Sequence, residues 1–220
     1  MSIFARRRRF FYGHNTFCMD ESVFNLSYQN KHAASKITAG LERMSEAFRA
    51  LLWEYAKDIG LSPIQIQILI FVAYHEENLC NVSHLAKEFN ITKPTVSDAV
   101  RMLLKKELIV KIPSPSDRRA YQIALSAAGE KIVEETKQFA NPIQEVIEEW
   151  SQEEQEQFFV SLSKLVAALN RKGILSVQRT CYRCRFYQKK ETHHYCQLMK
   201  KDLWEKDIRL DCPEFELPNT

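Results

Sequence analysis

The stretch of sequence that decides the fold runs from residue 81 to residue 126 and reads NVSHLAKEFNITKPTVSDAVRMLLKKELIVKIPSPSDRRAYQIALS. Its first part predicts a short helix over residues 82–89, a tight turn at residues 90–91, and a second helix that begins at Thr92. Thr92 is a good N-cap, and Pro94 falls in the first turn of the helix, where its missing N–H costs no hydrogen bond. A short helix, a tight turn and a second helix are typical of a helix-turn-helix.

The second helix is predicted to have two different faces. Its apolar residues recur at helical spacing and predict the face that packs against the core, namely Val96, Val100, Leu103 and Leu104. The remaining polar residues are candidates for contact with double-stranded DNA, because the second helix of a helix-turn-helix lies in the major groove. These candidates are Thr92, Lys93, Thr95, Ser97, Asp98 and Arg101. A bare helix pair packed only for stability is the alternative at this point.

The sequence after the second helix favours the DNA-binding interpretation. LIVKIPS and YQIALS are two short β-prone runs, and the loop PSPSDRR between them carries Arg118 and Arg119 near its end. Guanidinium groups on a hairpin can bind phosphates or enter the narrow minor groove, whereas a packed helix pair has no use for them. Residues 82–120 carry eight Lys or Arg against four Asp or Glu, while residues 141–158 carry six Glu and no Lys or Arg. We therefore predict a basic wing beside the second helix.

Two long amphipathic helices are predicted to flank this region. The apolar residues of the first recur at steps of three and four until Gly60 and Pro63 end it, and they are Ile37, Leu41, Met44, Phe48, Leu51 and Tyr55. The second has the same spacing, stops at Gly173, and contains Phe158, Leu162, Leu165 and Leu169. Such a pair of helices can pack within one chain or between two, and together they favour a homodimer.

From residue 31 to residue 173 the chain resembles the MarR (multiple-antibiotic-resistance regulator) family of winged helix-turn-helix repressors. The matching pieces are LSPIQIQIL, VSHLAKEFNITKPTVSDAVRMLLKKELI, then DRR and LSAAG, where the family typically shows D-x-R and L-T-x-x-G. The resemblance implies an obligate dimer, built from the first and last helices, that binds a palindromic operator. It also implies that Asp117 supports the wing and that Arg119, helped by Arg118, reaches the minor groove.

The chain departs from the family pattern in two places. Glu107 stands where a glycine commonly ends the recognition helix, and the segment after Gly173 has no counterpart in most members. We predict a mainly α fold with a small β-wing, in which a winged helix-turn-helix (residues 61–129) lies between dimerisation helices (residues 26–60 and 130–175). These helices and the wing make up a MarR-like domain over residues 26–175. A tail (residues 1–25) precedes this domain, and a four-cysteine module (residues 176–220, here called the C-terminal segment) follows it.

The C-terminal segment contains Cys181, Cys184, Cys196 and Cys212. The spacing is C-x2-C, then eleven residues, then fifteen, and four thiolates at such positions can complete a tetrahedral zinc site. A segment of roughly forty residues has too little core to fold alone, and a metal would supply the missing stability. An iron–sulfur cluster held by the same cysteines is the alternative cofactor, and a redox-active pair is another possibility. His193 or His194 can replace a cysteine as ligand, while Cys18 and Cys80 stand alone.

The chain is predicted not to be an enzyme. It is expected to be a cytoplasmic, sequence-specific transcriptional regulator, most simply a repressor, whose DNA affinity responds to a small-molecule effector, redox state or metal. No apolar run approaches the roughly 20 residues that cross a bilayer, and no apolar stretch follows the basic block near the N-terminus as a secretory signal requires. The alternatives are a winged-helix interaction or adaptor protein and a thiol-redox protein using Cys181 and Cys184. The arginine-tipped wing counts against both.

Overall fold

The computed structural model describes residues 21–113, 121–177 and 179–218. They belong to two compact units, and the boundary between these units falls between Ala50 and Leu51. The helices are α1 (Leu26–Lys31), α2 (Ala33–Ile59), α3 (Pro63–Tyr74), α4 (Val82–Glu88), α5 (Lys93–Lys105), α6 (Ala127–Thr136), α7 (Asn141–Glu148) and α8 (Gln152–Arg171). The strands are β1 (Ile109–Pro113), β2 (Tyr121–Leu125), β3 (Tyr187–Lys189), β4 (His194–Cys196) and β5 (Lys201–Leu203). The protein is thus mainly helical with a small β-wing, as predicted.

The helix ends follow the local signals in the sequence. Gly60 and Gly173 adopt φ values of +63° and +72°, and this left-handed conformation stops α2 and α8 where the sequence predicted. Pro63 opens α3, and the backbone N–H of Ser62 donates to the Gln65 side chain at 2.8 Å. No single helix among the described residues is long and apolar enough to cross a bilayer, although α2 and α3 reach the required length and composition when counted as one bent pair.

The C-terminal end of α5 keeps a glycine-like geometry without a glycine. Glu107 adopts φ 58°, and the N–H of Leu108 donates to the carbonyl oxygen of Leu103 at 3.0 Å across the turn. A left-handed residue at this place is the usual way in which a helix ends before the chain changes direction. The departure at Glu107 from the glycine of the family pattern therefore leaves the turn into β1 intact.

The main core lies within the winged helix. Helix α3 is buried on several sides, and α4, α5, α6 and β2 add their apolar faces to the same cluster, which includes Ile66, Leu69, Leu85, Val96, Val100, Leu103, Ile123 and Val133. Strands β1 and β2 pair antiparallel, from Ile109 opposite Leu125 to Pro113 opposite Tyr121. This register confirms the predicted hairpin and brings the two ends of the loop 114–120 side by side.

The C-terminal segment has a small core of its own. Strands β3, β4 and β5 form an antiparallel sheet in that order, with Tyr187 opposite Cys196 and His194 opposite Leu203. The apolar cluster of this segment consists of the buried Cys181, Leu203 and Ile208, which the partly buried Tyr182, Tyr187 and Cys196 cover. Such a core is much smaller than that of the winged helix.

We predict that Gly129 and Gly40 respond in opposite ways to alanine. A Cβ atom at Gly129 would lie 2.0 Å from the carbonyl oxygen of Leu108, whereas a Cβ at Gly40 meets nothing within 4 Å. Gly129→Ala should therefore lower the free energy of unfolding by about 2–3 kcal/mol, as overpacking does. Gly40→Ala, in α2, should leave it unchanged or raise it by up to about 1 kcal/mol. Urea unfolding of both variants tests the close approach of Gly129 to the carbonyl oxygen of Leu108. An equal change in the free energy of unfolding at the two positions would contradict it.

Candidate nucleic-acid interface

Helices α4 and α5 are joined by a short turn that the sequence fixes locally. The Asn81 side chain caps α4 by accepting the N–H of His84 at 2.9 Å, and Asn90 turns the chain with φ 54°. Asparagine is among the residues that tolerate this left-handed conformation best. The predicted helix-turn-helix is confirmed, with α4 ending one residue earlier than the sequence suggested.

The N-terminus of α5 is held by two threonines. Thr92 is the N-cap, and its Oγ1 accepts the backbone N–H of Thr95 at 3.3 Å and lies 2.8 Å from the Thr95 hydroxyl. Pro94 occupies the first turn, as predicted. The cap satisfies a backbone N–H that would otherwise lack a partner, so Thr92 has a structural role whether or not it also touches DNA.

The two predicted faces of α5 are present. Val96, Val100 and Leu103 are fully buried and Leu104 is partly buried, whereas the predicted DNA contacts on this helix are all exposed, namely Lys93, Thr95, Ser97, Asp98 and Arg101. The Arg101 guanidinium donates to the Asp98 carboxylate at 2.8 Å. An exposed pair of this kind contributes little to stability, so the guanidinium is free to exchange Asp98 for another acceptor.

The predicted arginines of the wing lie outside the residues that the structure describes. Asp117, Arg118 and Arg119 lie in the loop 114–120, outside the part of the chain that the structure describes, so their roles stay predictions. At the base of the wing the Lys111 ammonium lies 4.2 Å from the ring centroid of Tyr121. This contact fixes one basic group of β1 against β2 by a cation–π interaction.

No sequence pattern indicated the contact between the helix-turn-helix and the C-terminal segment, which centres on Arg179. The Arg179 guanidinium donates to Glu88 of α4 at 2.8 Å and to both carboxylate oxygens of Asp211, at 2.5 and 2.8 Å. Only 10% of the Arg179 side chain is exposed. Buried charges of this kind persist only where they are paired, and the two-oxygen contact with Asp211 fixes the orientation of the guanidinium.

Histidines on both sides complete this network. His75, at the end of α3, lies 2.9 Å from Asp211 Oδ2, an oxygen that also accepts from Arg179, and His84 of α4 lies 3.3 Å from the Arg179 guanidinium. Burial lowers the pKa of His84, so its ring is neutral at pH 7 and can accept the Arg179 N–H. The hydrogen bonds from Arg179 lower the pKa of Asp211, which therefore stays ionised.

A second connection reaches the turn itself. The Asn90 amide donates to the carbonyl oxygen of Ile174 at 3.1 Å, and the Ser176 hydroxyl donates to the Asn90 side-chain oxygen at 2.7 Å. The residue that separates α4 from α5 is therefore tied to the chain that leaves α8. Together with Arg179, this contact joins the C-terminal segment directly to the helix-turn-helix.

The four predicted metal ligands lie around one cavity. Cys181, Cys184, Cys196 and Cys212 line a space of about 20 Å³. Nevertheless, in the three described stretches of the chain, no group of three or more His, Cys, Asp and Glu side chains is already arranged to hold a metal ion.

The other candidates for sulfur or nitrogen chemistry are engaged elsewhere. His194 is buried and lies 2.8 Å from the Tyr187 hydroxyl, and His193 lies 2.9 Å from Asp202, so neither histidine lines the cavity. Cys80 is buried within the main core, and burial raises the pKa of its thiol to about 11. A thiol with so high a pKa is a poor nucleophile at pH 7.

The fold and this surface define a winged helix-turn-helix protein. Within it, residues 59–120 match the model of the MarR family. A curated relative, the uncharacterized HTH-type transcriptional regulator YhbI of Bacillus subtilis (strain 168), is 29% identical over 98 residues, and this match spans 42% of the chain and 64% of the relative.

Solved structures agree with this match. The MepR–DNA complex of S. aureus is 26% identical, and it covers 60% of this chain and 97% of that one with a TM-score of 0.54. A MarR transcriptional regulator from Methanosarcina mazei Go1 reaches the same TM-score at 17% identity, covering 61% of this chain and 96% of that one, and shows likeness of fold alone.

These matches show that residues 59–120 are similar to the MarR family of winged-helix regulators. Members of that family are DNA-binding regulators and not enzymes, which agrees with the prediction that the chain is not an enzyme. The matches say nothing of the four cysteines, whose role as metal ligands stays a prediction.

We predict that Arg179 contributes far more to stability than a surface arginine of the same segment. Arg179→Met would leave Glu88 and Asp211 without their partner and should lower the free energy of unfolding by about 2–3 kcal/mol at pH 7. Arg185 pairs with Glu216 at 2.8 Å but is 41% exposed, so Arg185→Met should cost less than about 1 kcal/mol.

The pH dependence of stability is a second test of the role of Arg179. The pKa of Asp211 is lower in the folded state than in the unfolded state, where it is about 4. The pairing of Asp211 therefore stabilises the fold fully above about pH 4. This stabilisation is lost as the pH falls through the folded-state pKa. The difference between wild type and Arg179→Met in urea unfolding should therefore shrink below about pH 4. Equal free energies of unfolding for wild type and Arg179→Met at pH 7 would contradict the stabilising role of Arg179.

Proposed function

We propose that the protein is a sequence-specific DNA-binding transcriptional regulator that acts as a homodimer on a palindromic operator and represses the promoter it occupies. The observation that carries this proposal is helix α5, which buries its apolar face and exposes the predicted polar side chains beside a two-stranded wing. The likeness to MepR, which has been solved in complex with DNA, supports it. Such a regulator would act on chromosomal DNA in the cytoplasm.

The chemistry of the polar face suits the major groove. Lys93 and Arg101 can bind guanine or phosphate. The hydroxyls of Thr95 and Ser97 can donate to or accept from the edges of the bases. Asp98 can accept the amino group of cytosine and, in the free protein, holds Arg101 at 2.8 Å. Because Val96, Val100 and Leu103 fix the opposite face in the core, these side chains would approach the bases on a rigid support.

The wing would supply the second contact with DNA. Pro113 and Tyr121 face each other in the register of β1 and β2, so the loop that carries Arg118 and Arg119 leaves and re-enters the sheet at one place. Arginines on such a loop would bind phosphates or the minor groove beside the site of α5. This contact would raise affinity and make it strongly dependent on salt.

Two exposed apolar stripes support the homodimer. In α2 the predicted stripe contains large side chains that lie open to solvent, namely Ile37, Leu41, Met44 and Phe48. In α8 the fully buried residues are Ser163 and Ala167, whereas Phe158 is exposed and Leu162, Leu165 and Leu169 are partly open. Exposed apolar stripes of this kind mark an interface, and a palindromic operator needs two recognition helices. We therefore assign both stripes to contact with a second copy of the chain.

The C-terminal segment would modulate DNA affinity through its contact with α4. A cavity of about 420 Å³ lies between α4 and this segment, lined by His84, Lys87, Arg179 and Phe215 among others. A small-molecule effector bound there would touch α4 and Arg179 together. Metal or redox changes at the cysteines would act on the same contact, because the N–H of Cys212 donates to the carbonyl oxygen of Arg179 at 3.0 Å.

We predict that Arg101 contributes to DNA binding and that a similar arginine elsewhere does not. Arg101→Ala should weaken binding to DNA from upstream of the protein's own gene about 10- to 100-fold, corresponding to about 1–3 kcal/mol. Arg49→Ala is the matched control, because Arg49 is also exposed and also pairs with a carboxylate three residues before it, Glu46. Fluorescence anisotropy measures both affinities.

A panel of operator variants separates base contact from phosphate contact at Arg101. A loss confined to operators with one particular base pair indicates base reading, and an equal loss on every operator indicates a phosphate contact. In the same assay Arg119→Ala should reduce the slope of affinity against salt. Wild-type protein with no preference for the upstream DNA over random DNA would overturn the proposed function.

We predict that the apolar stripe of α8 holds the dimer together. Leu165→Lys should produce monomers or insoluble protein, because the charge would be buried between two chains. Gln157→Lys places the same charge on an exposed position of α8 outside the stripe and should leave the dimer intact. Light scattering at micromolar concentration, with circular dichroism to verify folding, reports the outcome. A wild-type monomer would contradict the homodimer.

A further inference from the structure

We propose that Cys181, Cys184, Cys196 and Cys212 together bind one zinc ion as thiolates, and that this ion stabilises the fold of the C-terminal segment. The four residues come from separate parts of the segment. Cys181 begins a 3₁₀ turn (Cys181–Arg183), Cys184 follows that turn, Cys196 ends β4, and Cys212 precedes Pro213. The fold nevertheless brings all four to the wall of one cavity.

The cavity has room for an ion. Its volume is about 20 Å³, and a space of roughly 10–15 Å³ already holds one water molecule. An iron–sulfur cluster held by the same four thiolates is the alternative occupant, and metal analysis separates it from zinc. A lone zinc ion, which takes four ligands in a tetrahedron and accepts four thiolates, fits the space and the donors.

Hydrogen-bond donors already point at two of the sulfurs. The backbone N–H of Arg209 lies 3.3 Å from Cys181 Sγ, and the Arg209 guanidinium lies 3.6 Å from Cys212 Sγ. Donors of this kind stabilise thiolate ligands, and the positive charge of Arg209 offsets part of the net negative charge of a zinc ion with four thiolates. Residues other than the ligands are therefore arranged as a metal centre requires.

Glu214 contacts both Cys212 and Arg209. Its carboxylate accepts the Cys212 thiol hydrogen at 3.2 Å and pairs with Arg209 at 2.9 Å. When zinc binds, each thiol loses its proton to solvent, and Glu214 keeps its contact with Arg209. Four Zn–S bonds form as four S–H protons leave to solvent, so the step needs no other reactant.

The segment also needs the stabilisation that a metal gives. Its apolar cluster is built on Cys181, Leu203 and Ile208, a core too small to offset the conformational entropy of roughly forty residues. The four sulfurs share a cavity but are not yet arranged as a ligand set, so binding of the ion is expected to order the segment further.

The test uses full-length protein purified without added metal chelator. Elemental analysis should find about one zinc per chain in wild type and in Cys18→Ser, and much less than one in Cys184→Ser. Replacing zinc with cobalt should give the visible spectrum of a tetrahedral four-thiolate site in wild type and in Cys18→Ser, but not in Cys184→Ser. Chelation should release the zinc and expose four additional titratable thiols, and hydrogen exchange in the C-terminal segment should then rise.

Several results would overturn the proposal. Iron with an equivalent amount of sulfide, and a brown colour, would replace the zinc ion by an iron–sulfur cluster. Protein without metal, with four freely titratable thiols in this segment and slow hydrogen exchange there, would exclude any metal centre. Retention of a full equivalent of zinc by Cys184→Ser would remove that cysteine from the site. None of these results depends on whether the protein binds DNA.

Discussion

The buried guanidinium of Arg179 is the interaction on which the arrangement of the helix-turn-helix and the C-terminal segment depends. Its charge is withdrawn from water and is balanced by Glu88 from one side and Asp211 from the other. Such a charge is tolerated only while both partners remain in place, because leaving it unpaired costs several kcal/mol. Movement of the C-terminal segment away from α4 would therefore break a buried ion pair, which makes the two parts rigid with respect to each other.

This constraint has consequences for how the protein would be regulated. Helix α4 supports α5, and Asn90 between them is itself bonded to Ile174 and Ser176. The Cys212 N–H donates to the Arg179 carbonyl, so an event at the cysteines is separated from α4 by one residue. The proposed zinc site and the cavity beside His84 thus lie next to the same contact. A signal at either site would bias the position of α4 and, through it, the fit of α5 to DNA.

Local signals explain why much of the fold was predictable from the sequence. Thr92 and Pro94 mark the start of α5, Gly60 marks the end of α2, and the β-prone runs mark the wing. The polar face of α5 follows from helical spacing, although its exact contacts with DNA do not. The Arg179 network could not be predicted, because Glu88 and Asp211 are 91 and 32 residues away and no spacing rule links them. The convergence of the cysteines on one cavity was predicted from count and motif alone.

Hydrogen exchange of the free and the operator-bound protein, resolved by residue, is the measurement that tests the central claim most directly. If α5 binds DNA and the C-terminal segment is locked to α4, the operator should slow exchange in α4 and α5. It should also slow exchange of the Cys181 and Cys212 amides, which donate to Arg209 and Arg179. Protection confined to α4, α5 and the wing, with the Cys181 and Cys212 amides unchanged, would contradict the coupling. Protection nowhere in α5 would contradict DNA binding through this helix.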